Sequence, residues 1–167
     1  MPDLNHPKVT PFTRAIASQL RLDPTFVNFV FAKERPECFR YWCEEVEGSW
    51  TCYIPDGVAV AYPLWSTNAD QTLLLLSGGT ISYGMGWHDN PEMEMISQTS
   101  QGLLADLMNK IRESEALPEE EMRAAAQFCG FRYLTELLAF GNAPEAEGVS
   151  WEQRWRAFVS GIDAKSI

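Results

Sequence analysis

Apolar positions recur along the chain first at helical, then at strand, then again at helical spacing. Phe12, Ile16 and Leu20 share one helix face at i, i+4 and i+8, with Thr10 as cap and Pro11 in the first turn. Residues 1–9 before them read as a loose arm. Asp23-Pro24 signals a second start, and Phe26, Val27, Val30 and Phe31 give that helix its buried face, ending before Pro36. From Glu37 to Val46 both periods fit. Phe39, Trp42, Cys43 and Val46 favour a helix closed by Gly48, although Phe39, Tyr41 and Cys43 also alternate.

Between Trp50 and Trp87 the pattern is that of a small antiparallel sheet. Thr51 to Ile54 predicts a short strand and Pro55-Asp56-Gly57 a turn. Val58, Val60 and Tyr62 alternate, and Pro63 is expected to stop the ladder because it has no N–H to donate. Asn68-Ala69-Asp70 is a turn, Thr72 to Leu76 a buried strand, Ser77-Gly78-Gly79 a hairpin turn, and Thr80 to Tyr83 the return strand. Gly84 and Gly86 mark a bulge or a close backbone approach. After His88-Asp89-Asn90-Pro91 the pattern returns to helix. Leu103, Leu104, Leu107, Met108 and Ile111 form one stripe, capped by Thr99 or Ser100. Pro118 opens an acidic helix broken by Gly130, Tyr133 to Phe140 form another stopped by Gly141-Asn142, and Ser150 caps a last helix with Trp151, Trp155, Phe158 and Val159. Helices, a β meander and helices again make an α+β fold, a central and mostly antiparallel sheet flanked by N- and C-terminal helices. A chain of 167 residues fits one domain.

Charge narrows the partners. The net charge is −10, and from residue 88 to 149 there are 12 acidic and 4 basic residues. Such a surface repels nucleic acid and anionic membranes and suits a basic protein. The longest strongly apolar run, Leu73 to Leu76, is too short to span a bilayer, and the amino terminus has no apolar leader, so the expected place is the cytoplasm, without membrane insertion. There the cysteines Cys38, Cys43, Cys52 and Cys129 are expected as free core thiols.

Candidate chemistry is sparse. Cys43 or Cys52 with His88 and Asp89 supplies the residue types of a small Cys/His-dependent hydrolase, but no cysteine stands where its pKa would be lowered. Cys38, Cys43, Cys52 and His88 lack the paired spacing of a zinc knuckle. Ser77-Gly78-Gly79-Thr80 leads into strand residues, with no lysine nearby, and is a hairpin turn rather than a phosphate loop. No catalytic residue, metal or cofactor is expected. Asp89, Glu92 and Glu94 form an acidic loop, and Trp65 and Trp87 stand at strand ends beside polar turns, where aromatic residues serve as interface anchors.

Taken together, Tyr53-Ile54-Pro55-Asp56-Gly57-Val58, Pro63-Leu64-Trp65-Ser66-Thr67-Asn68 and His88-Asp89-Asn90-Pro91-Glu92 before a leucine-rich helix resemble the SUKH superfamily. That superfamily includes the Smi/Knr regulators of fungal cell-wall synthesis, the SecY-binding Syd proteins and bacterial toxin-immunity proteins. The resemblance covers about residues 50–112, extended to 24–112 as the core, with residues 118–167 as a helical extension. It implies a non-enzymatic protein-binding module, most typically an immunity protein neutralising a basic toxin or nuclease. The contact residues it implies are Trp65, Asn68, Tyr83, Trp87, His88, Asp89 and Glu92, at the open end of the sheet. An alternative is a regulatory or assembly subunit that docks through its C-terminal aromatic helix.

Overall fold

The structure is a computed structural model that describes residues 7–46, 53–88 and 91–167. Helix α1 spans Arg14–Gln19 and α2 Pro24–Phe31. Four strands follow, β1 Val60–Thr67, β2 Asp70–Ser77, β3 Thr80–Gly86 and β4 Met93–Ser97, then α3 Ser100–Glu115, α4 Glu119–Cys129, α5 Leu134–Asn142 and α6 Trp151–Ser166. The strands form one antiparallel sheet in chain order, β1-β2-β3-β4. The α+β class with helices flanking an antiparallel sheet is therefore what the sequence pattern predicts.

One sheet face carries Tyr62, Trp65, Leu74 and Tyr83 into the main core, where they meet Phe26 and Phe29 of α2, the Leu103–Ile111 stripe of α3, and Met122 and Leu137 of α4 and α5. The other face holds Ala61, Leu73 and Leu75 against Val9, Ile54 and Val58. Alternation along β2 explains the division, since successive side chains point to opposite faces.

Local chemistry sets the helix starts. The Asp23 carboxylate accepts from the amides of Thr25 and Phe26 at 2.8 and 3.2 Å, with Pro24 in the first turn. Ser150 and Gln153 form a capping box on α6. Thr99, rather than Ser100, caps α3 by accepting from the Gly102 amide at 3.1 Å.

Six expectations need correction. Helix α1 starts at Arg14 with Thr13 as cap, because Thr10 is committed elsewhere: its amide donates to Ala61 O at 3.0 Å. The same pairing makes Val9 a buried bridge to Ala61 rather than part of a loose arm; residues 1–6 of that arm lie outside the described residues. The stretch from Glu37 is a single 3-10 turn, Glu37–Phe39, followed by an extended Glu44 that exchanges two backbone bonds with Ser66 at 2.8 and 2.9 Å. Sheet pairing there overrides the helical pattern, and Gly48 falls outside the described residues. Of the strand expected at 51–54, Thr51 and Cys52 are also outside, and Tyr53 and Ile54 have no strand conformation.

Pro63 does not stop β1. The strand runs through it, and the register shifts between Pro63 and Trp65, so the missing N–H falls at an irregularity of the ladder. Nor does the chain return directly to helix after Pro91: β4 intervenes. Gly84 makes room for it, since a Cβ there would lie 3.0 Å from Met93 Sδ and 3.1 Å from Glu94 O. The expected close approach and bulge are both present, the register of β3 and β4 shifting between Tyr83 and Gly84.

A candidate partner-binding rim at one end of the sheet

Register gathers distant residues at one end of the sheet. Thr67 pairs with Asp70, Gln71 with Gly86, and Gly86 with Met93. Consequently Asn68, Asp70, Trp87, His88 and Glu92 lie along the same end. The two-residue turn Asn68-Ala69 has φ values of 48° and 73°, the left-handed conformation that a tight hairpin requires. It exposes Asn68.

His88 is held by Asp70. The Asp70 Oδ1 atom accepts from the His88 amide at 3.0 Å and lies 2.7 Å from Nδ1 of its ring. The Asp70 side chain is 14% exposed and that of His88 49%, so a sheltered carboxylate orients a ring that faces solvent. Protonation of the ring makes this contact an ion pair. Trp87 is half-buried beside it, and Glu92 is exposed.

Behind the rim the polar groups are tied down with two exceptions among the described residues. Thr67 Oγ1 donates to Trp42 O at 2.6 Å, and buried Gln71 Nε2 donates to Ser66 Oγ at 2.7 Å. The Gln71 Oε1 and Trp42 Nε1 atoms are buried with no hydrogen-bond partner in the structure.

The structure divides the expected contact residues. Asn68, Trp87, His88 and Glu92 come together. Trp65 and Tyr83 do not join them at the surface: they are 2% and 1% exposed and point into the main core. Trp65 packs edge-on to Phe29 at 5.7 Å and Tyr83 edge-on to Phe26 at 6.1 Å. Both sit on the sheet face that the helices cover, so their rings fill the core rather than an interface. Burial, with a smaller contribution from the charge of Asp163, pushes the Tyr83 phenol well up from its ordinary value. Asp89 lies outside the described residues. The sequence pattern places Asp70 only in a turn and does not show its contact with His88; the β2–β3 register, Gln71 against Gly86, is what brings the two together.

None of the described thiols is one of the rim residues. Cys43 and Cys129 belong to the main core. Burial drives the Cys43 thiol far above its usual range and that of Cys129 up to about 12; Cys38 is raised less, also chiefly by burial. Cys52 is outside the described residues. Among those described, no three His, Cys, Asp or Glu side chains are placed to share a metal ion, and no helix is long and apolar enough to cross a membrane.

A second surface feature lies at the β4 edge. Helix α6 runs beside this strand and is anchored by Asp163, whose carboxylate accepts from the amides of Gln98 and Thr99 at 2.9 and 3.1 Å and from Thr99 Oγ1 at 2.6 Å. Between strand and helix is a groove of about 970 Å³ lined by Glu94, Met95, Trp151, Glu152 and Trp155 among others. Trp151 stacks on Trp155 with ring centroids 5.5 Å apart, leaving it 47% exposed. Searches against protein-family models, curated proteins and solved structures find no match to this chain.

Proposed function

We propose that this chain is a non-enzymatic, SUKH-like protein-binding module that acts in the cytoplasm as an immunity protein, neutralising a basic toxin or nuclease. The observation that carries the reading is the rim itself. A half-buried tryptophan, an exposed asparagine and an Asp-held histidine converge at the end of a rigid sheet, with Glu92 beside them. Rigid aromatic and polar groups of this kind suit a protein interface. The net charge of −10 favours a basic partner and fast association with it. Deep burial of Cys43, with its thiol held neutral, weighs against a thiolate nucleophile there.

Affinity capture of the tagged chain from its native lysate, with mass-spectrometric identification, tests the proposal. The expected result is one tight, basic, toxin-like partner that salt releases and that Trp87→Ala and His88→Ala variants no longer retain. A partner retained equally by both variants, or one without basic character, would sink it. A second reading, an assembly subunit docking through α6, is favoured by the exposed face of Trp151. Under that reading Trp151→Ala loses the partner and Trp87→Ala keeps it.

A further inference from the structure

The two edges of the sheet are treated differently. On β1 the outer edge is occupied: Ala61 exchanges backbone bonds with Lys8 and Thr10 at 2.9 and 3.0 Å, and Ser66 exchanges them with Glu44. On β4 no backbone group of Met93–Ser97 has a main-chain partner outside the β3 ladder among the described residues. An edge of this kind presents a row of unmet N–H and C=O groups and accepts an added strand unless something blunts it. β4 itself blunts it only in part, through the exposed charge of Glu94 and the register shift against β3. It contains no proline, and Met95 is 54% exposed beside the groove.

We infer that the β4 edge takes up an extended segment of a basic protein partner, which pairs with Met93–Ser97 as a fifth strand and lies in the groove against α6. Three observations fix the chemistry of that segment. The groove supplies main-chain partners along one wall, over about 17 Å for five residues at about 3.4 Å each. Its opposite wall carries the outer face of Trp151, a platform for a Lys or Arg side chain. Its available charged lining is mainly acidic, Glu94 and Glu152 against Arg156, while Asp106 is paired with Lys110 at 2.8 Å and Asp163 is already engaged with the start of α3. A strand with alternating basic and apolar residues matches all three. A second copy of the chain would bring another Glu94 and a further charge of −10 to the same place. This surface is distinct from the sheet-end rim, and the inference stands whether or not the immunity reading holds.

The test uses the full chain and synthetic nine-residue peptides that alternate Lys with Val, or Glu with Val. Amide chemical shifts are recorded by NMR, and sedimentation reports the oligomeric state. The Lys–Val peptide is expected to move the amides of Met93–Ser97 and the Trp151 indole N–H, and to bind more weakly as salt rises. Methylation of alternate peptide amides is expected to abolish binding, since it removes the pairing donors while keeping charge and side chains. The exposed-charge variant Glu94→Lys with Glu152→Lys should weaken binding about tenfold or more, and a Trp87→Ala variant should leave it unchanged. No binding overturns the inference. So does equal binding of the Glu–Val peptide, indifference to amide methylation, shifts confined to the rim, or a dimer of the chain that buries β4.

Discussion

Asp163 couples two elements far apart in the chain, accepting three hydrogen bonds from Gln98 and Thr99 while 8% exposed. Its replacement by alanine strands two amides and a hydroxyl in a largely buried place. Hydrogen bonds to a charged group contribute about 1.5–3 kcal/mol, and orphaned donors add a desolvation penalty. Asp163→Ala should therefore lower the unfolding free energy by about 3 kcal/mol in urea titrations, and Asp163→Asn, which keeps an acceptor, by less. Gly102 is tied to the same contact. A Cβ there would come within 2.5 Å of Asp163 Oδ1 and 2.6 Å of Ser97 Cβ. Alanine in a helix normally gains about 1 kcal/mol over glycine, but a clash with these packed side chains costs about 1–3 kcal/mol. Gly102→Ala is expected to destabilise, with thermal unfolding as the measure.

At the scale of elements, two alanines are held in the left-handed region. Ala69 has φ 73° in the β1–β2 turn, and Ala116 has φ 48° at the end of α3. Glycine fits both without a Cβ penalty, so Ala69→Gly and Ala116→Gly should each stabilise by about 0.5–1 kcal/mol in chemical denaturation. Arg35 fixes another junction. Its guanidinium donates to the carbonyls of Phe29, Val30 and Cys43 at 3.1, 2.8 and 3.1 Å, closing the end of α2 onto the chain that follows. This explains where helical periodicity misleads: the 37–46 segment has the right apolar spacing, but its backbone is claimed by Arg35 and by Ser66. Where the signal is local, as with Asp23-Pro24 or the Ser150 capping box, the sequence predicts the element closely. Strand β4 was illegible because its five residues, two of them methionine and one glutamate, have weak strand preference alone; Gly84 on the neighbouring strand is what admits it. The rim was legible in part for the same reason. Asn68, Trp87, His88 and Glu92 follow from turn positions, whereas the Asp70–His88 contact and the burial of Trp65 and Tyr83 depend on register and on which face the helices cover.

Across the whole molecule, the buried acids of high pKa make stability depend on alkaline pH. The Cys43 and Cys129 thiols and the Tyr83 phenol are all held neutral by burial. In the unfolded chain thiols ionise near their ordinary value of 9.0, and in the fold that of Cys129 waits until about 12. Between these values the unfolded state binds fewer protons, so unfolding becomes easier as pH rises. The contribution is intact below about pH 9 and is lost towards 12, with a slope of up to about 1.4 kcal/mol per pH unit for each group. Urea titrations at successive alkaline pH values should show this decline, and removing either thiol should flatten it.

The meander in chain order also bears on how the molecule assembles. Each strand pairs with the next across a short connection, so the sheet closes through local loops, a topology associated with rapid folding. The Asp163 contact spans 64 residues and is the opposite case. During synthesis, the start of α3 leaves the ribosome well before the residue that locks it. For that interval β4 and the front of α3 stand without α6, and the nascent chain offers the side of β4 that α6 later flanks to any strand that reaches it first.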